Sequence, residues 1–454
     1  MGRERAAIIL AAGKSTRMKS ARSKVLHPVG GRSMLAWVAA LARSVNVSKI
    51  ICVVGEMNAD VREAAQNLGL EIAVQEPQLG TAHAVLQAKS ALGDFDGDVA
   101  VLYADTPLIE TDTLVSVFDA LEGGAHVSVL GFEPADPGAY GRLIVKNGEL
   151  QAIVEAKEAT PEELAVRLCN SGVMAADRID MFNALDKVSN DNVKGEYYLT
   201  DIVEILRSMD KRAVAVHASE REVMGVNARE DLALAERAFQ EQKRQEIMSC
   251  GVTLRDPQSI YFSYDTHIGR DSDIGANVFF GPGVKLAENV TIHPFCHLEG
   301  TEIKDGAVIG PFARLRPGTR MGAGTKIGNF VETKKAEVGA GSKINHLSYI
   351  GDSKIGENVN IGAGTITCNY DGYFKHVTEI ADGAFIGTHS SLVAPLKIGK
   401  DAFLGSGGVI TENVPDGALA LARARQDNKE GWATRYHKAQ AKRKAQKDHK
   451  KKKS

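Results

Sequence analysis

The 454-residue chain is poor in cysteine, and what it has is dispersed. Its five cysteines, Cys52, Cys169, Cys250, Cys296 and Cys368, include no C-x-x-C pair. That excludes a disulfide framework and a cysteine-based zinc site and points to a reducing, cytoplasmic setting. No apolar run is long enough to span a bilayer, and the N-terminus lacks the apolar region of a signal peptide, so no integral membrane segment is expected. Met1-Gly2 is not followed by Ser or Thr at position 6, which makes a poor myristoylation site. A net charge of −2 gives no global drive toward nucleic acid, and no such partner is expected. Two nucleotide-binding signatures are also missing from the first turn: neither a Walker A nor a G-x-G-x-x-G pattern fits there.

What stands there instead is Leu10-Ala11-Ala12-Gly13-Lys14-Ser15-Thr16-Arg17-Met18, with Lys24 a little further on. The apolar run Ala6–Leu10 reads as a buried strand. Small residues after it let the backbone approach a ligand, and main-chain N–H groups in such a turn can cradle phosphate oxygens. Arg17 and Lys24 supply charge to neutralise a triphosphate.

Residues 1–227 alternate strand-like runs (Ala6–Leu10, Ile50–Val54, Val99–Tyr103, His126–Gly131) with helical patterns (Arg32–Ala42, Ala59–Asn67, Ala82–Ser90, Thr111–Leu121). This alternation implies a Rossmann-like α/β domain with a mostly parallel sheet and ligands at the carboxyl ends of its strands. Tyr103-Ala104-Asp105 follows one such strand, where a carboxylate is well placed to hold Mg²⁺ against phosphates. Gln75–Thr81 offers amides able to read a base edge. Residues 228–249 lack proline and glycine and read as one connecting helix.

From Ile268 an aliphatic or aromatic residue recurs every sixth position: Ile268, Ile274, Phe280, Leu286, Ile292, Leu298. The period resumes after a slip at Ile303 and continues in registers through Ile410. This hexapeptide repeat predicts a parallel β-helix over 250–426, a triangular prism; likeness to known hexapeptide-repeat proteins implies that it is left-handed and trimerises. Two cations, Arg316 and Lys334, take the place where glycine usually follows the buried residue. They are eighteen residues apart, one full coil, so they should stack on one corner and suit an anionic ligand. His346 lies one coil further on and is the residue type suited to take a proton near neutral pH. Asn369-Tyr370 opens the one long interruption of the hexads. Residues 427–454 form a polar tail ending in the lysine-rich run Lys438–Lys453, read as a solvated, disordered end.

These segments, with Tyr140–Arg142, Val154-Glu155, Asn170–Gly172, Gly195–Asp201 and Gly225–Asn227, resemble the sugar-nucleotide pyrophosphorylases. In detail they resemble the family of bacterial bifunctional UDP-N-acetylglucosamine pyrophosphorylase/glucosamine-1-phosphate acetyltransferases, over nearly the whole chain. The resemblance implies that Leu10, Ala11, Ala12, Gly13, Gln75, Gly80, Thr81, Tyr103 and Ala104 line the UTP site. It implies that Gly141, Glu155 and Asn170 hold the N-acetylglucosamine moiety and that Asp105 and Asn227 bind Mg²⁺. Arg17 and Lys24 would be catalytic in uridylyl transfer, and His346 the general base of acetyl transfer. Arg316 and Lys334 would clamp the sugar phosphate, and Tyr349 and Asn360 would contact the sugar. Ala363, Asn369, Tyr370, Thr388, Ser406 and Arg423 would contact substrate or acetyl-CoA. The chain departs from the family pattern at Ala82 and Ala104, where glycine is usual, and at Thr388 and Ser406, where serine and alanine are usual. The rival expectation is a single-activity pyrophosphorylase whose β-helix is structural or regulatory.

Overall fold

The structure is a computed structural model that describes residues 3–13 and 15–451; Lys14 of the first turn, and Lys452 and Lys453 of the tail, lie outside the described residues. The chain divides into two compact units, residues 1–270 with 279–284, and 271–278 with 285–454.

In the first unit, β1 (Glu4–Leu10), β2 (Lys49–Gly55), β3 (Glu71–Gln75), β4 (Gly97–Tyr103), β5 (Val127–Phe132), the hairpin β6 (Arg142–Lys146) and β7 (Glu149–Val154), β8 (Cys169–Asp177) and β9 (Ala213–Ala218) form one sheet. Its main path runs β9-β5-β8-β4-β1-β2-β3. The β1, β2, β3 and β4 strands are parallel, as the sequence predicts, whereas β8 runs antiparallel to β4 and β5. Residues 6–9 are fully buried, as expected of a strand covered by helices on both faces. Helices α1 (Met34–Ser44), α2 (Ala59–Asn67), α3 (Thr81–Gln87) and α4 (Thr111–Glu122) sit close to their expected spans. The first starts two residues late, because Arg32–Ser33 pairs with Pro28–Val29 and the Ser33 hydroxyl caps the Ala36 N–H. The expected Ala82–Ser90 helix breaks after Gln87 and resumes as the short turn Lys89–Leu92.

The expected connecting helix is α5 (Arg229–Ser249), and it is a packed part of this unit. Its Phe239 ring lies 5.6 Å from Trp37 and covers Gly30, whose φ is +56° and where any side chain would strike that ring.

The second unit stacks short parallel strands in three columns. One climbs Asp273–Ile274, Thr291–Ile292, Val308–Ile309, Lys326–Asn329, Lys343–His346, Asn360–Ile361, Phe385–Ile386, Phe403–Leu404 and Leu419–Ala420. The other two are joined by Glu332–Val338 and Tyr349–Ile355, each long enough to turn from one face onto the next. Registers advance by one coil, for example Ile309↔Ile327 and Leu315↔Thr333, so the aliphatic residues stack inward, and Ile309, Leu315 and Ile344 are fully buried. Each such side chain contributes roughly 1.5–3 kcal/mol of transfer free energy. Glycine after the inward residue has a steric cause: a Cβ on Gly275 or Gly387 would come within 2.7 or 2.5 Å of backbone in the next coil.

One face also carries a register device that the hexad pattern does not reveal. Lys285, Glu302, Arg320, Glu337, Lys354, Glu379 and Lys397 are successive cross-strand partners of alternating sign. Opposite charges meet at every step, so a slip by one coil would place like charges opposite each other.

The tail differs from the expected disorder. Trp432–Lys451 is helical, and Trp432 stacks on Tyr436 one turn later at 5.0 Å. After Gly431 the segment is free of glycine and proline and rich in Ala, Lys, Gln and Arg, all strong helix formers. Among the described residues no helix is long and apolar enough to cross a membrane.

Candidate active sites

In the first unit, the carboxyl ends of β1, β3 and β4 open onto a cleft of about 410 Å³ lined by Leu10, Ala11, Ala12, Gly13, Ser15, Lys24, Gln75, Gln78, Gly80, Thr81, Tyr103, Asp105 and Glu196. This lies within the usual size of ligand pockets. The first turn is held open by its neighbours. Ala11 N–H donates to Val53 O at 2.9 Å, the Gln78 amide donates to Ala12 O, and Leu10 O accepts from Ala104 N–H at 3.1 Å. The Gln75–Thr81 segment is locked by the distant Tyr197–Leu199: Ala82 N–H donates to Tyr197 O, Tyr197 N–H to Leu79 O, and Leu199 N–H to the Thr81 hydroxyl. Gly80 has φ +115° and lies so close to Tyr197 that a Cβ would sit 2.5 Å from its carbonyl oxygen. Only glycine fits this crossing.

At one end of the cleft the charged residues converge. Lys24 Nζ donates to Asp105 Oδ2 at 2.5 Å and to Asn227 Oδ1 at 3.0 Å, and Arg17 Nη2 donates to the same Asn227 oxygen at 2.7 Å. The sequence separates Lys24 from Asn227 by 203 positions. The Asp231 carboxylate, in the first turn of α5, accepts from both Asn227 N–H and Ala228 N–H at 2.9 Å. Val226 N–H donates to Asp105 O at 2.9 Å, and Arg229 Nε reaches Met18 O at 3.2 Å. The helix thus pins both the asparagine and the Arg17 turn. Two oxygen donors facing one cationic centre are the hard donor set that suits Mg²⁺, which takes few protein ligands and fills its shell with water and phosphate. Among the described residues no group of three or more His, Cys, Asp or Glu is placed to cage a metal.

Beyond the cleft, Gly141, Glu155 and Asn170 come together. Asn170 N–H donates to Gly141 O at 2.8 Å, and Glu155 Oε1 lies 3.6 Å from where a Gly141 Cβ would stand. Burial pushes the Glu155 carboxyl above the usual carboxylate range. Gly172, with φ +92°, leaves the space taken by the Tyr103 ring.

In the second unit, Arg316 N–H donates to Thr333 O at 2.9 Å in the register Leu315↔Thr333, so Arg316 and Lys334 occupy successive coils of one column. Arg316 Nη1 pairs with Glu332 at 2.8 Å. His346 belongs to a different corner, the one that ends the first column, where Asn329↔His346 are register partners. The reason is arithmetic: Lys334 and His346 are twelve residues apart, which is two faces of the prism rather than three. Ala363, Thr388 and Ser406 climb the same corner as His346, since Gly364 N–H donates to His346 O, His389 N–H to Ala363 O and Gly407 N–H to Thr388 O. Tyr349 stands over Glu332 on the face joining the two corners, and Asn360 stands over Lys343 on the preceding face. Asn369 is buried and donates its amide to Asp352, while Tyr370 is exposed under the Lys375 ammonium at 3.9 Å. Arg423 is exposed near Gly407.

A MobA-like NTP transferase domain family matches residues 7–161. A solved structure of UDP-glucose pyrophosphorylase complexed with UDP-glucose covers 53% of this chain and 99% of its own, at TM-score 0.44 and 18% identity. Curated relatives extend over the full length. The bifunctional protein GlmU of Maricaulis maris is 55% identical over 99% of both chains, that of Sphingopyxis alaskensis 51% over 97% of this chain and 98% of its own, and that of Agrobacterium fabrum 50% over the whole of both. The chain belongs to the GlmU family of bifunctional proteins.

Several residues that build the GlmU-family sites here escaped the sequence reading. Asp231 sits three residues past Ala228, the spacing at which an acidic side chain reaches back to the start of a helix, and that pattern was available. Asn329, at 3.0 Å from His346, carries no local signal, and the bond from Lys24 N–H to the Ser15 hydroxyl at 3.0 Å was not foreseen within the first turn.

Proposed function

We propose a residue-level scheme for two consecutive reactions on this chain, uridylyl transfer in the first unit and acetyl transfer in the second. Membership of the GlmU family along the whole chain makes it a bifunctional enzyme of UDP-N-acetylglucosamine synthesis, and sets aside the single-activity rival. In the second unit, the amine of glucosamine 1-phosphate attacks the acetyl-CoA thioester carbon, the C–S bond breaks, and coenzyme A leaves as the thiol. His346 takes the proton the amine loses and returns it to the departing sulfur. Arg316 and Lys334 neutralise the sugar phosphate, and Ala363, Thr388, Ser406 and Arg423 give the coenzyme a track along one corner.

In the first unit, a phosphate oxygen of N-acetylglucosamine 1-phosphate attacks the α-phosphorus of UTP in line, and pyrophosphate departs. No protein nucleophile is needed; positioning and charge neutralisation carry the rate. Gln75, Gly80 and Thr81 read the uracil, Glu155 and Asn170 hold the sugar, and Arg17 and Lys24 meet the charge that builds on the phosphates. Mg²⁺, held by Asp105 and Asn227, supplies electrostatic stabilisation of the phosphates when bound. The observation that carries this reading is the convergence of Lys24, Arg17, Asp105 and Asn227 at the mouth of the nucleotide-sized cleft.

A homotrimer is part of the proposal. Phe295, Phe312, Phe330 and Leu347 form a column on the His346 corner, each about half exposed, and all four adopt left-handed backbone, with φ from 49° to 62°. Phe295, Phe312 and Phe330 stack at 4.9 and 5.4 Å. Bulky residues in that conformation cost about 1–2 kcal/mol each relative to glycine, so an exposed apolar ridge built this way suits contact with a second copy. Five free thiols support a cytoplasmic location. The test is to supply glucosamine 1-phosphate, acetyl-CoA and UTP together and then omit each. Loss of UDP-N-acetylglucosamine on every omission is expected; product formed without acetyl-CoA would remove the second reaction.

A further inference from the structure

We infer that Asn329 is a positioning residue for acetyl transfer: its amide oxygen fixes the tautomer of His346. The inference rests on the reading of His346 as general base. Asn329 Oδ1 stands 3.0 Å from His346 Nδ1, and the two residues are direct register partners on adjacent coils. The contact is backed by the main chain. Leu347 N–H donates to Asn329 O at 3.1 Å, and His346 O accepts from Gly364 N–H at 3.2 Å and from the Ser348 hydroxyl at 2.8 Å. The imidazole is therefore anchored on both sides of its own residue.

The chemistry follows from the donor inventory. An amide oxygen accepts only, so Nδ1 must carry the hydrogen. In a neutral imidazole the lone pair then lies on Nε2, on the far side of the ring. That is the nitrogen able to receive the proton of the attacking amine. With the amide turned over, its NH₂ would donate to Nδ1, Nε2 would carry the hydrogen, and the outward nitrogen could accept nothing. Asn329 also interrupts the corner pattern: the equivalent place one coil earlier is Pro311 and one coil later than His346 is Ala363, neither able to accept from a ring nitrogen with its side chain. The charged groups on the strands packed here are Lys326 and Lys343 on the same face and Glu332 past the corner, the last engaged by Arg316 at 2.8 Å.

The test uses the full-length enzyme and three variants: Asn329→Ala, Asn329→Asp and His346→Ala. Asn329→Ala should lower kcat of acetyl transfer roughly 10- to 100-fold, the usual cost of losing a residue that orients a ligand or base, with KM for both substrates within about threefold and uridylyl transfer unchanged. Asn329→Asp keeps the acceptor and adds a charge that favours imidazolium. It should recover much of kcat while moving the acid limb of the pH–rate profile to higher pH. A residue that only packs the corner would give no such shift and no recovery by Asp. Wild-type kcat and pH profile in both variants, or equal loss in both with an unmoved limb, would overturn the inference. Acetyl transfer surviving in His346→Ala would instead overturn the base assignment on which it rests, a separable result.

Discussion

Replacing Lys24 by methionine should move metal binding and turnover in opposite directions. Lys24 Nζ sits 2.5 Å from Asp105 and 3.0 Å from Asn227, the two oxygens proposed for Mg²⁺, with only 14% and 21% of the Lys24 and Asp105 side chains exposed. The ammonium is thus an internal competitor for a divalent ion and must leave Asp105 before the metal can settle there. A partly buried, charge-assisted hydrogen bond is worth about 1.5–3 kcal/mol. Removing it relieves that cost, and about 1.4 kcal/mol is a factor of ten in affinity. Arg17 remains 2.7 Å from the Asn227 oxygen and continues to repel a cation, which holds the gain near the lower bound. The expected result is Mn²⁺ affinity roughly tenfold tighter in Lys24→Met, measured by calorimetry on the nucleotide-free protein. Uridylyl transfer should fall at the same time, because the phosphates lose a cation. Unchanged or weaker Mn²⁺ binding in Lys24→Met, with Asp105→Asn still abolishing it, would refute the competition. Mn²⁺ binding that survives Asp105→Asn would refute the metal site itself.

Other predictions separate the parts. Arg17→Ala should cut kcat of uridylyl transfer by two orders of magnitude or so, typical of removing one charge-stabilising donor, and leave acetyl transfer intact; His346→Ala should do the reverse, with each activity assayed on its own substrate pair. Phe312→Glu, placed mid-ridge between Phe295 and Phe330, should turn the proposed trimer into monomers by light scattering and silence acetyl transfer alone. Asp201 is pushed up to about 6, first by burial and then by Glu158. Between the ordinary value near 4 and that raised one, the native state binds more protons than the unfolded state, so stability falls as pH rises through this window. Asp201→Asn should therefore raise the melting temperature of the first transition more at pH 8 than at pH 4.5, and an equal effect at both would contradict the assignment. Glu337→Lys puts a third positive charge between Arg320 and Lys354 and should destabilise the prism by roughly 1 kcal/mol, scaled from cross-strand pair energies, with salt reducing the effect.

What the sequence discloses depends on whether a feature repeats or is local. The hexads of the prism repeat with fixed period, so the β-helix and the stacking of Arg316 on Lys334 can be read by counting. Counting also misleads: the sequence places His346 one coil beyond those cations, yet twelve residues carry the chain across only two faces, onto another corner. The first turn and Asp105 are legible because strand ends in an α/β sheet are where ligands sit. The bonds that lock Gly80 against Tyr197, or Lys24 against Asn227, join segments more than a hundred residues apart, and nothing in either segment names the other. The charge ladder lies between these cases. Its members are 17, 18 or 25 residues apart, a spacing blurred by the hexad slips and by the Asn369–Val377 loop, so the alternation emerges only when the strands are paired.

The separation of His346 from Arg316 and Lys334 constrains how acetyl transfer can work. In the proposed scheme the base must come within hydrogen-bond reach of the amine of the sugar whose phosphate the cations would hold. In one prism the base and the clamp stand on successive corners, with Tyr349 and Glu332 on the face between them. Within one copy a sugar phosphate would have to bridge the face of Glu332 and Tyr349 to meet both corners, whereas the coenzyme is proposed to follow the corner of Ala363, Thr388 and Ser406. The coenzyme can therefore be held by one copy, but the sugar is best served where the His346 corner of one copy meets the cationic corner of the next. The apolar ridge of Phe295, Phe312 and Phe330 lies directly below Leu347 on that same His346 corner, where such a contact would bury it. If the proposed roles hold, the exposed aromatics and His346 share a corner because assembly completes the acetyl-transfer site, and mixing inactive His346→Ala protein with inactive Lys334→Ala protein, both keeping Phe312, should after subunit exchange restore part of the activity that neither has alone.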